Sequence, residues 1–259
     1  MSLLQIVLLA WLLAAALMAM LWGVQRARGN AGIVDVAWSF ATGILGALFA
    51  YAAGGLDARR AIVAAMVLIW GIRLGAHLWH RVASEREDGR YRQMREAWGE
   101  SFERRMFLFF QVQALWAVMF AVPMLAAARN DAPLGWFDLL GVLFWIVALG
   151  GESIADRQLA RFRSSPANRG TVCREGLWRY SRHPNYFFEW LHWWASVWLA
   201  VGSPLWWLPL LGVAVMYLFL TRVTGIPPTE AQALRSRGEA YRVYQRTTNA
   251  FFPGPVRQG

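Results

Sequence analysis

The sequence is poor in the residues that build metal and redox sites. Its 259 residues include one cysteine, Cys173, and four histidines. A single cysteine excludes an internal disulfide and any paired-cysteine metal or redox motif. The histidines form no HExxH or HxH pattern, so we expect no metal site. GxGxxG and GxxxxGK motifs are also missing, which excludes a Rossmann or P-loop nucleotide site.

Charged residues are scarce as well, at 16% of the chain, whereas 57% of its residues are hydrophobic. Such a chain is too apolar for an ordinary soluble domain and too long for one membrane helix. We therefore expect an all-α, polytopic membrane protein. Hydropathy predicts seven spanning helices, with six as the alternative if the first is peripheral. The windows lie near residues 2–25, 31–54, 59–80, 106–127, 135–158, 184–201 and 204–224.

Positive charge is concentrated between the apolar windows. Arginine supplies the positive charge behind the net +10, and most of the arginines lie in segments 81–105, 157–182 and 222–257. With seven spans, the positive-inside rule places the C-terminus in the cytoplasm and the N-terminus outside. Because these arginines flank apolar segments, we expect no nucleic-acid partner. The last segment also carries Tyr241, Tyr244 and Phe251, which a disordered tail would not need, so we expect it to fold back over the cytoplasmic face.

The start of the sixth window is unusually polar. Arg182, His183, Asn185 and Glu189 are too polar for a lipid-facing helix end. Asn185 and Glu189 are four residues apart, which puts both on one face of a helix. Ionisable groups inside a membrane mark functional sites, because burying an unpaired charge is costly.

Two carboxylates lie four residues apart on the fifth predicted helix. Glu152 and Asp156 project the same way and repel each other unless arginines or a hydroxyl-rich ligand share them. A nucleotide is such a ligand, because ribose hydroxyls suit carboxylates and phosphates suit arginine, here Arg163. Pairing within the helix to Arg157 or Arg161 is the alternative.

Asp35 lies early in the second window among aliphatic residues. A carboxylate there is expected to face the bundle interior, where it can donate a proton or bind a substrate oxygen. A structural cap, or a buried partner for Arg73, fits equally well. The turn at residues 87–92 has two acids, two arginines and Tyr91. It can bind a phosphate or a ribose, or be only a solvated loop.

Several segments resemble one membrane family. Residues 176–189, GLWRYSRHPNYFFE, are similar to the C-terminal signature of steroid 5-alpha-reductase-like proteins. They are particularly similar to that of bacterial relatives long described only as a domain of unknown function. Residues 30–38, 87–91 and 238–253 also resemble this group, so the resemblance covers most of the chain. Isoprenylcysteine carboxyl methyltransferases carry a similar Arg-His-Pro element.

The resemblance implies NADPH-dependent reduction of a carbon–carbon double bond conjugated to a ketone, as in 3-oxo-Δ4 steroids. It implies a single domain, with residues 1–80 on the substrate side and residues 81–259 mainly binding the cofactor. We expect a monomer in a bacterial inner membrane, surrounded by lipid, acting on a steroid or another hydrophobic enone. The alternatives are an S-adenosylmethionine-dependent methyltransferase and a non-enzymatic lipid-binding protein. Because S-adenosylmethionine carries no phosphate, the many arginines favour NADPH.

The resemblance also assigns roles to individual side chains. Asn185 and Glu189 match the family's pair near the nicotinamide, and Asp156 and Arg163 match its pair on the extended fifth helix. The further cofactor candidates of this sequence are Arg90, Glu152, Tyr180, Arg182, His183, Glu230 and Tyr241. Glu152 falls where steroid reductases have an asparagine, and Glu230 falls roughly where they have a histidine.

The reductases bind the ketone with an acid or amide in the second helix and a tyrosine in the third. Asp35 is the candidate for the first. The third window has no tyrosine, so Tyr91 is the substitute proton donor, and Glu189 is the third catalytic candidate. Trp38 and Trp70 are expected to line the substrate slot.

Overall fold

The structure is a computed structural model that describes residues 3–84 and 87–257. Residues 85 and 86 of the first basic segment lie outside these ranges. Within them the chain is helical and contains no strand. The α-helices are α1 (Leu3–Arg28), α2 (Ile33–Ala52), α3 (Asp57–Ser84), α4 (Gly89–Trp98), α5 (Phe102–Ala128), α6 (Trp136–Ser164), α7 (Pro184–Leu199), α8 (Trp207–Leu218), α9 (Ile226–Arg237) and α10 (Glu239–Thr247). A π-helical turn, Phe219–Val223, follows α8.

Six helical stretches of the described chain are long and apolar enough to cross a membrane. They are Leu4–Arg28, Ile33–Ala52, Asp57–Ser84, Gly89–Ala128, Trp136–Ser164 and Trp207–Arg237. The window at 184–201 is also helical, but α7 has only 16 residues. At 1.5 Å per residue that is about 24 Å, shorter than a hydrocarbon core of about 30 Å. The all-α, multi-pass membrane fold is confirmed, whereas seven spans and the orientation stay predictions.

Helix α1 shows why this fold needs lipid around it. Its sequence is apolar on every face, and Leu4, Leu12, Leu13 and Met20 are each more than half exposed. Apolar surface of this extent is unfavourable in water, because burial of such side chains is the main stabilising contribution in soluble proteins. The exposed faces therefore contact membrane lipid.

The chain divides into two compact units. The first unit comprises Met1–Leu134 and Leu199–Pro209, and the second comprises Gly135–Trp198 and Leu210–Gly259. In the first unit α2 packs against α3 and α5. A Cβ added at Gly71 would lie 2.9 Å from the Gly43 Cα atom and from the Ser39 carbonyl oxygen. Helices α2 and α3 therefore touch backbone to backbone, as small residues permit in membrane bundles.

In the second unit, the segment before α7 is bonded to the C-terminal tail. Tyr244 donates to the carbonyl oxygens of Trp178 and Ser181. The Ser181 hydroxyl donates to the Phe251 carbonyl oxygen at 2.9 Å, and the Gly254 N–H donates to the Tyr180 carbonyl oxygen at 3.0 Å. The tail is thus folded, as its buried aromatic residues predict.

Candidate active site

In the first unit, Asp35 is the centre of a partly buried polar cluster. The Tyr91 hydroxyl donates to one carboxylate oxygen of Asp35 at 2.9 Å, and the Arg90 guanidinium donates to the other at 3.0 Å. Tyr91 is almost fully buried. Of the two alternatives for Asp35, the structure thus gives it an arginine partner, but the partner is Arg90 and not Arg73. We call Asp35, Arg81, Asp88, Arg90 and Tyr91 the Asp35 cluster.

Asp88 sets the positions of Arg90 and Tyr91. It caps the N-terminus of α4 by accepting from the Arg90 backbone N–H at 2.9 Å, and it accepts from Arg81 at 3.1 Å. Burial raises the pKa of Asp88, but the charges of Arg90 and Arg81 and the capping bond outweigh burial and keep it below its usual value. Asp88 is therefore ionised. Charges alternate from Arg81 through Asp88 and Arg90 to Asp35, with the Tyr91 hydroxyl at the end.

A small cleft opens beside the Asp35 cluster. Its volume is about 40 Å³, and Asn30, Gly32, Asp35, Arg81 and Arg90 are among its lining residues. That volume accommodates a water molecule or one oxygen-bearing group, not a whole lipid. The cleft can therefore bind the polar end of a ligand next to the Asp35 carboxylate.

The two predicted substrate tryptophans lie together in the core of the first unit. The rings of Trp38 and Trp70 meet edge to face with centroids 6.1 Å apart, and Trp38 meets Phe120 in the same way at 5.8 Å. Trp70 is completely buried. These rings form an apolar wall next to the polar first turn of α2, and their contact with a substrate stays a prediction.

In the second unit, α6 and α7 share a polar interface. The Asn185 amide donates to Asp156 at 3.3 Å, and a Cβ added at Gly151 would lie 2.4 Å from the Phe188 ring. The two helices are antiparallel, because the earlier residue of α6, Gly151, contacts the later residue of α7, Phe188. Glu152 and Glu189, both buried, therefore lie about one helical turn from the Asn185–Asp156 pair.

Individual groups of this interface have different partners. Glu189 accepts a hydrogen bond from the Trp193 indole at 3.1 Å. The Asn185 side-chain oxygen is buried, and the described part of the chain offers it no hydrogen-bond partner. Arg163 is exposed in the last turn of α6. The structure thus brings Glu152, Asp156, Asn185 and Glu189 together, and it leaves Arg163 open to solvent.

Glu230 is itself a cofactor candidate, and three others, Arg182, His183 and Tyr241, meet around it together with Gln245. Its carboxylate accepts from Arg182 at 2.7 Å, from the His183 ring at 3.1 Å and from Gln245 at 2.7 Å. Burial and the neighbouring charge of the same carboxylate raise the pKa of Tyr241. We call these five residues the Glu230 node. Because its members bond to one another, they connect α9, α10 and the segment before α7.

His183 is the titratable base of this node. Burial lowers the pKa of His183, and this outweighs the hydrogen bond and the charge of Glu230, which raise it. The ring stacks on Tyr186 with centroids 5.3 Å apart. His183 is therefore a neutral imidazole that donates to the Glu230 carboxylate.

Two candidates lie away from these groups. Arg90 belongs to the Asp35 cluster of the first unit, whereas the other cofactor candidates belong to the second unit. The side chain of Tyr180 is exposed, and only its backbone carbonyl accepts from the tail.

Sequence reasoning did not identify the capping role of Asp88 or the part of Gln245 in the Glu230 node. An aspartate immediately before a helix is a preferred N-cap, so the sequence carried a signal for Asp88. Gln245 meets Glu230 only through the packing of α9 and α10, and no local pattern indicates it.

Comparison with known proteins gives one match. The family model described as Protein of unknown function (DUF1295) matches residues 21–248. No curated protein and no solved structure matches the chain.

Proposed function

The chain belongs to the DUF1295 family, and we propose that it is an integral membrane reductase that uses NADPH to saturate the double bond of a hydrophobic enone. The observation that carries this proposal is the hydrogen bond between Tyr91 and Asp35. Steroid 5-alpha-reductases have a tyrosine in the third helix, whereas the third predicted span of this chain has none. Tyr91 supplies a phenol from the start of α4 instead, bonded to the acid of α2.

The α6–α7 interface supports the cofactor assignment. Glu152 and Asp156 can accept from ribose hydroxyls, and the buried Asn185 oxygen can accept from the nicotinamide amide. Arg163 is exposed at the end of the same helix, and its guanidinium is the group type that binds a phosphate. These residue types fit a dinucleotide, and they suit S-adenosylmethionine less well because it has no phosphate.

Asp156, Asn185 and Arg163 would hold NADPH, which when bound would supply the hydride for the β-carbon of the enone, so that negative charge would develop on the ketone oxygen. On substrate binding the Tyr91 hydroxyl turns its one hydrogen from Asp35 to this oxygen, where negative charge grows. Asp35 and Arg90 orient the phenol for that task. Water would supply the proton taken up at the α-carbon, so the product would gain two hydrogens, one as hydride and one as proton. Glu189 is placed to orient the nicotinamide end through the polar face of α7.

We further propose that α7 is a short seventh span, with the N-terminus outside and the C-terminus in the cytoplasm of a bacterial inner membrane. The protein then acts as a monomer on a substrate taken from the lipid phase. The arginine-rich segments at 157–182 and 222–257 support this orientation.

The test is a binding and turnover assay with purified protein in detergent. Titration with NADPH, NADH and S-adenosylmethionine is followed by incubation with a panel of steroid and lipid enones. We expect NADPH to bind most tightly, and the product mass to exceed the substrate mass by two hydrogens. Binding of S-adenosylmethionine, with no affinity for either nicotinamide nucleotide, would favour a methyltransferase.

A further inference from the structure

The end of the C-terminal tail presents an exposed aromatic ring beside two helices of the second unit. Phe252 stacks on Tyr217 of α8 with ring centroids 6.1 Å apart. It also meets Phe187 and Trp190 of α7 edge to face, at 6.1 Å and 5.7 Å. Despite these contacts Phe252 remains 51% exposed, whereas the preceding Phe251 is buried. The ring therefore keeps one open face at the surface of the second unit.

The partners of Phe252 fix how far along these helices the ring lies. Trp190 lies six residues after the start of α7, which is about 9 Å along the helix. Tyr217 is the last residue but one of α8. Helix α8 belongs to the stretch Trp207–Arg237, which is long and apolar enough to cross a membrane. The ring thus lies beside the last turn of a membrane helix, within its length and not beyond its end.

The open face of Phe252 continues the apolar surface of α8. Leu211 and Leu218 are seven residues apart, so they share one face of that helix, and each is more than half exposed. Tyr217, next to Leu218, is partly exposed and carries the Phe252 ring. Aromatic rings are enriched at the level where acyl chains meet headgroups. The lipid-facing surface of α8 therefore extends onto the tail.

The backbone of the tail end suits a lipid environment, because it exposes few hydrogen-bond donors. Pro253 and Pro255 have no N–H group. The Gly254 N–H donates to a carbonyl oxygen of the segment before α7 at 3.0 Å, and the Arg257 N–H donates to the Thr247 carbonyl oxygen at 2.8 Å. Irregular backbone is costly in lipid wherever its polar groups lack partners. Residues 253–255 present no unbonded N–H and avoid that cost.

Two exposed arginines border this apolar surface. Arg222 lies in the π-helical turn directly after α8, five residues beyond Tyr217. Arg257 follows the exposed Val256, and its guanidinium donates to the Asn249 side-chain oxygen at 2.7 Å, which holds it at the tail end. Arginines beside a lipid-facing surface reach the headgroups, and each strengthens the contact with an anionic leaflet.

We propose that residues 251–257 form an interface loop, which lies at the membrane surface and binds anionic phospholipid. The Phe252 ring contacts the acyl chains near the headgroups, while Arg222 and Arg257 bind headgroup phosphates. A second copy of the chain is a poorer occupant, because the arginines of the two copies would repel each other across a symmetric contact. This lipid contact is separate from any reaction that the protein catalyses.

The experiment uses the full-length protein in vesicles, with a fluorophore on one introduced cysteine. Phe252→Cys carries an apolar, environment-sensitive label, and Ala240→Cys, at an exposed site of α10 in the same tail, is the matched control. The native Cys173 is buried, and wild type treated in the same way gives the background. Phospholipids brominated on their acyl chains quench the label only on close contact, so quenching reports the presence of lipid.

We expect brominated lipid to quench the label at position 252 strongly and the label at position 240 hardly at all. At equal content, brominated phosphatidylglycerol should be enriched over brominated phosphatidylcholine at position 252. The enrichment should be about fivefold for each arginine, the ratio that one basic side chain contributes at an anionic surface. Arg222→Gln and Arg257→Gln should each lower it, whereas Arg235→Gln, at an exposed site of α9, should preserve it.

Equal quenching at positions 252 and 240 would place the tail end in water or against protein, and it would overturn the inference. Equal quenching by the two lipids, or an enrichment that survives both arginine substitutions, would overturn it as well. None of these measurements involves NADPH or an enone, so their outcome is distinguishable from that of the proposed function.

Discussion

Tyr91 donates a 2.9 Å hydrogen bond to Asp35, although 56 positions separate them in the chain. Asp35 lies in the first turn of α2 and Tyr91 in the first turn of α4. The bond joins an acid and a phenol that the sequence identifies separately and cannot connect. It also places the only described tyrosine of α4 where the Asp35 cluster can orient it.

Tyr91→Phe is expected to lower kcat for enone reduction by about a hundredfold, a typical contribution of one positioned acid. The phenylalanine keeps the ring contact with Phe109, so the fold should persist. The dissociation constant of NADPH should not change. Measurement of kcat, KM and NADPH affinity on the purified variant tests this, and a kcat close to that of wild type would remove Tyr91 from the mechanism.

Glu189→Gln is expected to reduce turnover far more than expression level. The amide oxygen can still accept from Trp193, so the local packing of α7 is preserved while the charge is lost. Glu239→Gln, at an exposed site in the tail, serves as the control. Turnover of purified Glu189→Gln equal to that of the control would rule out a role for the carboxylate.

Arg163→Ala is expected to weaken NADPH binding about tenfold, because a hydrogen bond between charged groups contributes at least that much. Arg235→Ala removes another exposed arginine of the second unit, one bonded to Gln232, and should leave the affinity unchanged. Fluorescence titration of both variants measures this. Identical dissociation constants for the two would contradict the assignment of Arg163 to a phosphate.

Glu230→Gln is expected to destabilise the protein by about 3 kcal/mol, because it leaves the Arg182 guanidinium without a charged partner. The Arg182 and Glu230 side chains are only 11% and 13% exposed, so solvent screens the pair little. Glu239→Gln breaks an exposed ion pair with Arg246 and should change stability by no more than about 0.5 kcal/mol. Thermal unfolding in detergent compares the two, and equal melting temperatures would show that the Glu230 node does not stabilise the tail.

Acidic pH is expected to destabilise the second unit through His183. The pKa of His183 is lower in the folded chain than in the unfolded chain. Between these two values the unfolded chain binds a proton that the folded chain does not bind. The stabilising contribution is complete above the unfolded pKa of about 6.5 and is lost as pH falls through the folded value. Melting temperatures of wild type and His183→Gln between neutral pH and pH 5 should therefore show a shallower decline for the variant. Parallel curves would contradict this origin of the acid sensitivity.

The long helices were largely predictable because each contains an apolar segment of spanning length. The windows at 31–54 and 135–158 correspond to α2 and α6. Hydropathy gave a window at 184–201 that is longer than α7, because it counts apolar residues and not hydrogen bonds. Helix α7 ends at Leu199, and two residues beyond it, Asn130 binds the Val201 carbonyl at 2.7 Å. That long-range contact leaves no trace in the local pattern.

The site was predictable where helical spacing decides it, and not where tertiary contacts do. Spacing of four placed Asn185 and Glu189 on one face, and the structure has both on the α6–α7 interface. Local polarity and the family resemblance assigned Arg182 and Glu230 to the cofactor, whereas their side chains bond to each other. The pairing depends on how α9 folds against the segment before α7, which no spacing rule contains.

The contact between Gly43 and Gly71 bears on how this protein can be re-engineered. A methyl group at either position would push α2 away from α3, and Asp35 and Trp38 would move with α2. The close contact therefore fixes the distance between α2 and α3, and with it the position of Asp35 relative to α3. Smaller side chains in place of the Trp38 or Phe120 rings should allow bulkier substrates to bind. Separation of α2 from α3 would instead displace Asp35 from its place at the reacting end of the substrate.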